Sequence, residues 1–194
     1  MPDGKPLPVE FDELLAAEFN YIAQTAIQAN EDRARVSSFY LIAVGSLVAA
    51  LLGTQFFDIN SPLWTVNLIF GGLFTLLTLL GASTVLQLAR LRAAWYESAL
   101  AMNQVKDYMV SQNKTLTQAF RWTTSSLPSR YKTNSISYYQ AREVALISGL
   151  MGGAAVFFLL RAFLTINLFH WVLSVLFGIV TLSAQLVLYR RALR

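Results

Sequence analysis

Four long apolar stretches, nearly free of charged residues, alternate with polar segments along this chain. They cover residues 36–57, 62–89, 143–163 and 168–189. A helix rises about 1.5 Å per residue, so each stretch is long enough to cross a hydrocarbon core about 30 Å thick. The pattern therefore predicts an all-α integral membrane protein with four transmembrane helices arranged as two hairpins.

The polar segments beside the first two spans keep a helical period. Small or apolar residues recur at intervals of four and three before the first span, and a heptad-like seam follows the second span as far as Asn113. We expect residues 9–113 to form one long hairpin whose cytosolic part is an antiparallel, coiled-coil-like stalk. That stalk is either a simple spacer or an element that senses a ligand or partner. Its seam consists of Leu91, Trp95, Met102, Val105 and Met109.

Three further segments complete the predicted organisation. Residues 1–8 are rich in proline, which favours an extended leader. Residues 114–137 are rich in Ser, Thr and basic side chains and are interrupted by Pro128, so they are expected to form a cytosolic linker. Residues 138–194 form the second transmembrane hairpin, with a tight turn near residues 165–167.

The distribution of positive charge predicts the orientation. Of the 15 Lys and Arg residues, all except Arg161 fall in residues 1–35, 90–142 and 190–194. These segments share one side of the membrane if both short loops face the other, and positive charge favours the cytoplasmic side. Both termini are therefore expected in the cytoplasm. The basic residues are then expected to face the inner leaflet, so the net charge of +4 indicates lipid contact rather than nucleic-acid binding.

Two titratable residues lie near the predicted outer surface. Arg161 is expected to extend its charge outward from the end of the third span, because a charge inside the bilayer is costly. A functional alternative places Arg161 in a water-filled vestibule that favours anions, with His170 as a proton-sensitive neighbour.

Small and polar residues recur at helical spacing on every span, including Gly45 and Ala49 on the first. Such stripes mark close helix packing, within one bundle or between subunits. They are also typical of a weakly polar pore lining. The residues to which both interpretations apply are Asn67, Thr75, Thr78, Ser174, Gly178, Thr181 and Gln185.

The sequence does not predict an enzyme. It contains no Cys, a single His, no cluster of carboxylates and no glycine loop of the kind that holds phosphates. No catalytic, metal-binding or cofactor-binding residue is predicted. Glu97 and Glu143 lie close in sequence to Arg92 and Arg142, so ordinary ion pairs are expected there.

A cytosolic helix, two spans and a long exit helix form a pattern that resembles the SLATT group of bacterial membrane effectors, over about residues 20–110. The residues that carry the likeness are Tyr21, Ala23, Ala26, Ala29 and Arg33 in the first helix, and Gln87, Arg90, Arg92, Trp95 and Tyr96 in the exit helix. The resemblance implies a pore-forming protein of the bacterial inner membrane. No site residue is transferred from it.

The function expected from these features is that of a homo-oligomeric ion channel or pore-forming effector, gated through its cytosolic helices. The alternative is a structural or scaffold subunit of a larger membrane complex. A four-span transporter would require internal symmetry, which the unequal hairpins do not support. The expected partners are membrane lipids, further copies of the chain and a protein at the cytosolic hairpin, without any cofactor.

Overall fold

The computed structural model describes residues 11–53, 62–165 and 167–194, and the regular elements within these residues are all helices. All four α-helices are long and apolar enough to cross a membrane, which confirms the predicted helical class and the number of candidate spans. The expected leader, residues 1–8, lies outside the described residues. The α-helices are α1 (Phe11–Gly53), α2 (Leu63–Gln112), α3 (Ile136–Phe163) and α4 (Leu168–Ala192), and two short 3-10 helices cover Lys114–Gln118 and Thr124–Ser126.

Helix α2 is the central element, since it packs against α1, α3 and α4. It begins directly after Pro62 and ends before Asn113, whose N–H bonds to the Met109 carbonyl. No Gly or Pro interrupts the chain between Gly81 and that cap. Its 50 residues extend for about 75 Å, more than twice the length that is needed to cross a hydrocarbon core about 30 Å thick.

Helices α1 and α2 pack side by side and run in opposite directions. The Thr25 and Ser98 hydroxyl oxygens lie 3.1 Å apart, and the Lys106 ammonium lies 5.8 Å from the centre of the Phe19 ring. The buried positions of α1 recur at intervals of four and three, as expected for one helix face turned to a neighbour. They are Ile22, Ala26, Ala29, Arg33, Ser37, Tyr40 and Val44.

Helices α3 and α4 approach each other closely through glycine. A Cβ atom at Gly149 would lie 2.8 Å from the Gly178 carbonyl oxygen, and a Cβ atom at Gly178 would lie 2.8 Å from the Gly149 oxygen. A third position, Gly153, would bring a Cβ to 2.9 Å from the Ser174 carbonyl. These backbones are therefore in contact because side chains are absent, which is the packing mode that small residues permit in membranes.

The surface of α4 that faces away from α3 is almost wholly apolar, which fits contact with lipid rather than water. Its exposed side chains include Leu168, Phe169, Val172, Val175, Leu176, Ile179 and Val180.

Candidate functional sites in the helical bundle

A buried polar cluster joins all four helices, and its members are Tyr40, Thr78, Ser148 and Gln185. The Gln185 amide nitrogen donates to the Ser148 hydroxyl at 2.7 Å, and that hydroxyl donates to the Thr78 carbonyl at 3.1 Å. Tyr40 Oη lies beside the Ser148 side chain without the geometry of a hydrogen bond. Tyr40 Oη and Gln185 Oε1 are both buried and unpaired within the described residues.

Gly81 makes room for this polar cluster. A Cβ atom at that position would contact the Ser148 side chain and would lie 2.8 Å from Tyr40 Oη. The cluster offers hydroxyl and amide oxygens but no carboxylate or imidazole, so it contains no group that titrates near neutral pH.

The stripe residues of α4 all lie against α3. Ser174 and Gln185 are buried, and the Ser174 hydroxyl donates to its own helix at the His170 carbonyl, 2.8 Å away. Gly178 contacts the backbone of α3, and Thr181 Oγ1 would lie 3.1 Å from a Cβ at Gly152. The α4 stripe therefore packs within the chain.

The stripe residues of α2 are divided between the interior and the surface. Asn67 is buried and Thr78 is half-buried, with its methyl group near the same Gly152 position that Thr181 approaches. Thr75 is exposed, and its hydroxyl donates to the Gly71 carbonyl at 2.7 Å. The structure thus brings Thr78, Thr181 and Gln185 to one region and leaves Thr75 outside it.

Several small residues at the depth of the predicted spans are not covered by any described part of the chain. A Cβ atom at Gly45 or at Gly72 would meet nothing within 4 Å. Ser46 on α1 and Ser83 on α2 are exposed as well, and neither hydroxyl is among the hydrogen-bonded groups of the described residues. We refer to Gly45, Ser46, Gly72, Thr75 and Ser83 as the uncovered small residues.

Arg161 and His170 occupy different environments. Arg161 is exposed in the last turn of α3 and forms no ion pair with a described residue. His170 is buried, and its Nδ1 accepts a hydrogen bond from the Asn167 N–H at 3.2 Å. The Asn167 side chain accepts from the His170 N–H in return, which caps the start of α4. The imidazole therefore has a structural role at this turn.

The predicted stalk seam, from Leu91 to Met109, is only half-buried. The deepest positions in this part of α2 are Arg92, Ala99 and Asn103. The reason is that the linker folds back against α2, where the Thr123 carbonyl accepts from the Asn103 amide at 3.0 Å. Helix α2 is therefore covered on two sides, by α1 and by the linker.

A cleft of about 470 Å³ lies between the start of α1, the end of α2 and the linker. Val105 and Met109 of the seam line it together with Leu15 and Phe19 of α1 and Phe120 of the linker. A second cavity, a groove of about 660 Å³, lies along α3 and α4, where Gly149, Gly153 and Gly178 leave space below Phe157 and Trp171.

Two buried arginines lie where the apolar stretches of α1 and α2 meet the polar segments. Arg33 is 9% exposed and donates from Nη2 to the Asn30 side chain at 2.8 Å, while its Nε is buried and unpaired. Arg92 is 6% exposed and donates from Nε to the Arg130 carbonyl at 3.3 Å. Its guanidinium carbon lies 4.3 Å from the centre of the Trp95 ring.

The expected ion pair between Arg92 and Glu97 is wrong. Glu97 pairs with Arg130 at 3.3 Å, because the linker brings that residue beside α2. The pKa of Arg33 is lowered from its ordinary value, mainly by burial and secondly by the positive charge of Arg92. Burial also lowers the pKa of Arg92. Sequence reasoning missed this pair, although Arg33 continues the period of buried positions on α1.

Three tyrosines surround the same end of the bundle, which we call the basic end. The Tyr189 hydroxyl shares a hydrogen bond with the Ser137 hydroxyl at 3.0 Å, and the rings of Tyr131 and Tyr138 lie 6.5 and 6.2 Å from the Tyr189 ring. The Arg190 guanidinium lies over Tyr131. Aromatic and cationic side chains together are typical of a membrane–water boundary.

The fold and these sites define an all-helical bundle of membrane-spanning dimensions, with a buried polar cluster and one basic end. The described residues contain no group of three His, Asp or Glu side chains that could hold a metal ion. Comparison with protein-family models, with curated proteins and with solved structures finds no match to this chain.

Proposed function

We propose that the chain is a four-span membrane protein that assembles from several copies into an ion channel or pore-forming effector. In this proposal the spans form two hairpins, with both termini and the coiled-coil-like stalk of α1 and α2 in the cytosol of a bacterial cell. The observation that carries it is the set of uncovered small residues on α1 and α2.

The contrast between the two helix pairs supports self-association. The glycines between α3 and α4 already contact a neighbouring backbone, so they pack within the chain and are not free to contact a second copy. Gly45 and Gly72 also lack a side chain, but no described residue lies within 4 Å of a Cβ atom at either position. Helices in lipid associate through small residues that allow close approach, so a second copy is the natural partner for these positions.

The exposed hydroxyls support a polar interior in the assembly. Ser83 lies within the second apolar stretch, where an unpaired hydroxyl facing lipid is unfavourable. Thr75 lies two turns away on the same helix and is also exposed. In a ring of copies, these side chains would face neighbouring chains or a water-filled axis.

The continuous helices support gating from the cytosol. Both α1 and α2 pass from the apolar stretches into the stalk without a break, so a movement of the stalk is transmitted as a rigid body. The cleft beside Phe19 and Met109 gives a partner or ligand a place to act on both helices at once. The resemblance to SLATT effectors agrees with this arrangement.

A scaffold subunit of a larger membrane complex is the second candidate. The groove along α3 and α4 favours it, since its apolar walls and glycine floor suit a helix from another protein.

The protomer count of purified protein in nanodiscs, measured by native mass spectrometry, tests the proposal. We expect a ring of about four or more chains, as a pore built from one or two exposed faces per copy requires. Gly72→Leu should reduce the count and reduce ion flux in liposomes. Leu176→Met, on the lipid-facing side of α4, should change neither. A monomer or dimer with no flux would refute the ring and direct the search to partner subunits.

A further inference from the structure

The two buried arginines lie at the same level of the neighbouring helices α1 and α2. Thr25 lies opposite Ser98, and Phe19 lies opposite Lys106, in helices that run in opposite directions. The same register, continued about two turns towards the spans, places Arg33 opposite Arg92. The charge of Arg92 accordingly acts on Arg33.

No carboxylate of the described residues neutralises this pair. The ion pairs of the described chain involve Arg35 and Arg130, and neither Arg33 nor Arg92 takes part in one. Two like charges that are buried at the same level without a counter-charge are unfavourable. A missing anion is the simplest way to balance them.

Hydrogen-bond donors are available for that anion. Arg33 uses only Nη2 and Arg92 uses only Nε within the described residues. The Nε of Arg33 is buried without an acceptor, although the side chain is held in place by Asn30. Each guanidinium group holds its other N–H donors in one plane, and such a planar set of donors suits the oxygens of a phosphate group.

The exposed arginines of the same helices have different surroundings. Arg35, two residues from Arg33, is exposed and lies 3.6 Å from Glu31 and 3.7 Å from Asp32. Arg90, two residues from Arg92, is also exposed. Among the described residues, carboxylates thus pair with an exposed arginine and none pairs with the two buried arginines.

We propose that Arg33 and Arg92 together bind a phosphate group at the basic end of the bundle. Both residues lie just beyond the apolar stretches, the depth at which phospholipid headgroups occur, so the phosphate of an anionic lipid fits the site. A soluble phosphate has the same chemistry. Phosphate binding at this site can be tested apart from the proposed pore, since neither arginine belongs to the uncovered small residues.

The test uses the full chain in zwitterionic nanodiscs and in mild detergent, with two probes. One probe is phosphatidylglycerol, counted as retained lipid by native mass spectrometry. The other is sodium phosphate, added at constant ionic strength against chloride, with the melting temperature as the signal, because a ligand that binds the folded state raises it. The variants are Arg33→Gln and Arg92→Gln, and the matched controls are Arg35→Gln and Arg90→Gln.

Each buried-site variant should weaken binding at least about tenfold, the change that corresponds to about 1.4 kcal/mol. The controls should change it less than about threefold, since exposed charges contribute little. If a Gln variant does not fold, Arg33→Lys and Arg92→Lys keep the charge and lose the paired N–H groups. They should bind more weakly than the wild-type chain while melting at a similar temperature without ligand.

A response to phosphatidylglycerol alone assigns the site to a lipid headgroup, and a response to both probes assigns it to phosphate from either source. The proposal is overturned if all four Gln variants lose binding equally, which would mean a diffuse charge effect. It is also overturned if the buried-site variants bind both probes as well as the wild-type chain.

Discussion

The contact between α3 and α4 gives a sharp test of the packing, through the substitution Gly178→Ala. A Cβ atom at this position would lie 2.8 Å from the Gly149 carbonyl oxygen, so the backbones must move apart by about 0.6 Å to reach ordinary contact at 3.4 Å. The atom in the way is backbone, which cannot rotate aside as a side chain would. Overpacking of this kind costs about 1–3 kcal/mol.

The same substitution at Gly72 is the matched control for packing within one chain, measured at a protein dilution in micelles that keeps copies apart. There a Cβ atom meets nothing within 4 Å, so the change adds helix propensity without a clash. Replacement of Gly by Ala in a helix contributes about 0.8–1 kcal/mol. That contribution is common to both variants and cancels in their difference. Gly178→Ala should therefore be less stable than Gly72→Ala by about 1–3 kcal/mol.

The measurement is reversible unfolding in mixed micelles, followed by far-ultraviolet circular dichroism as the denaturing detergent is increased. Gly149→Ala repeats the test from the other helix, since its Cβ would meet the Gly178 carbonyl at the same 2.8 Å. Equal midpoints for Gly178→Ala, Gly149→Ala and Gly72→Ala would refute the close contact. The α4 stripe would then be free to line a pore.

Two further predictions concern buried hydrogen bonds. Ser148→Ala should destabilise the chain by about 1–3 kcal/mol, because the buried amide of Gln185 loses its acceptor, and adding Gln185→Leu should recover most of that loss in the same unfolding assay. Asn103→Ala should cost about 1 kcal/mol by removing the bond to the Thr123 carbonyl, and it should speed tryptic cleavage of the linker. Gln104→Ala, at the exposed neighbouring position, should leave the cleavage rate unchanged.

The periodic pattern of the sequence was sufficient for the helical class and the number of candidate spans. The uncharged stretches exceed the length of a bilayer crossing, and no breaker follows Gly81 until the linker, so α2 has no reason to end at Arg90. Details of helix starts depend on local caps. Ser135 caps α3, which begins at Ile136, and Pro62 precedes the first residue of α2.

The candidate sites were less predictable because they depend on which segments meet. The seam of α2 was assigned from apolar residues such as Leu91 and Met102, but the linker packs on the adjacent face and buries Arg92 and Asn103. Likewise, Glu97 has an arginine nearby in sequence and pairs with a distant one, Arg130. The helical period of a sequence shows which face of a helix is apolar. It does not show which distant segment, such as the linker, packs against that helix.

The position of the arginine pair connects the two proposals physically. Arg33 and Arg92 lie where continuous helices pass from the bundle into the stalk, so repulsion between them acts to separate α1 and α2 at that point. The proposed phosphate group would remove this repulsion and would hold the two helices together. The stalk then stays aligned with the spans, and the uncovered small residues keep fixed positions on the bundle surface. An empty site would loosen the junction first, because the cores on either side are packed through Ala29 and Leu88, which carry no charge.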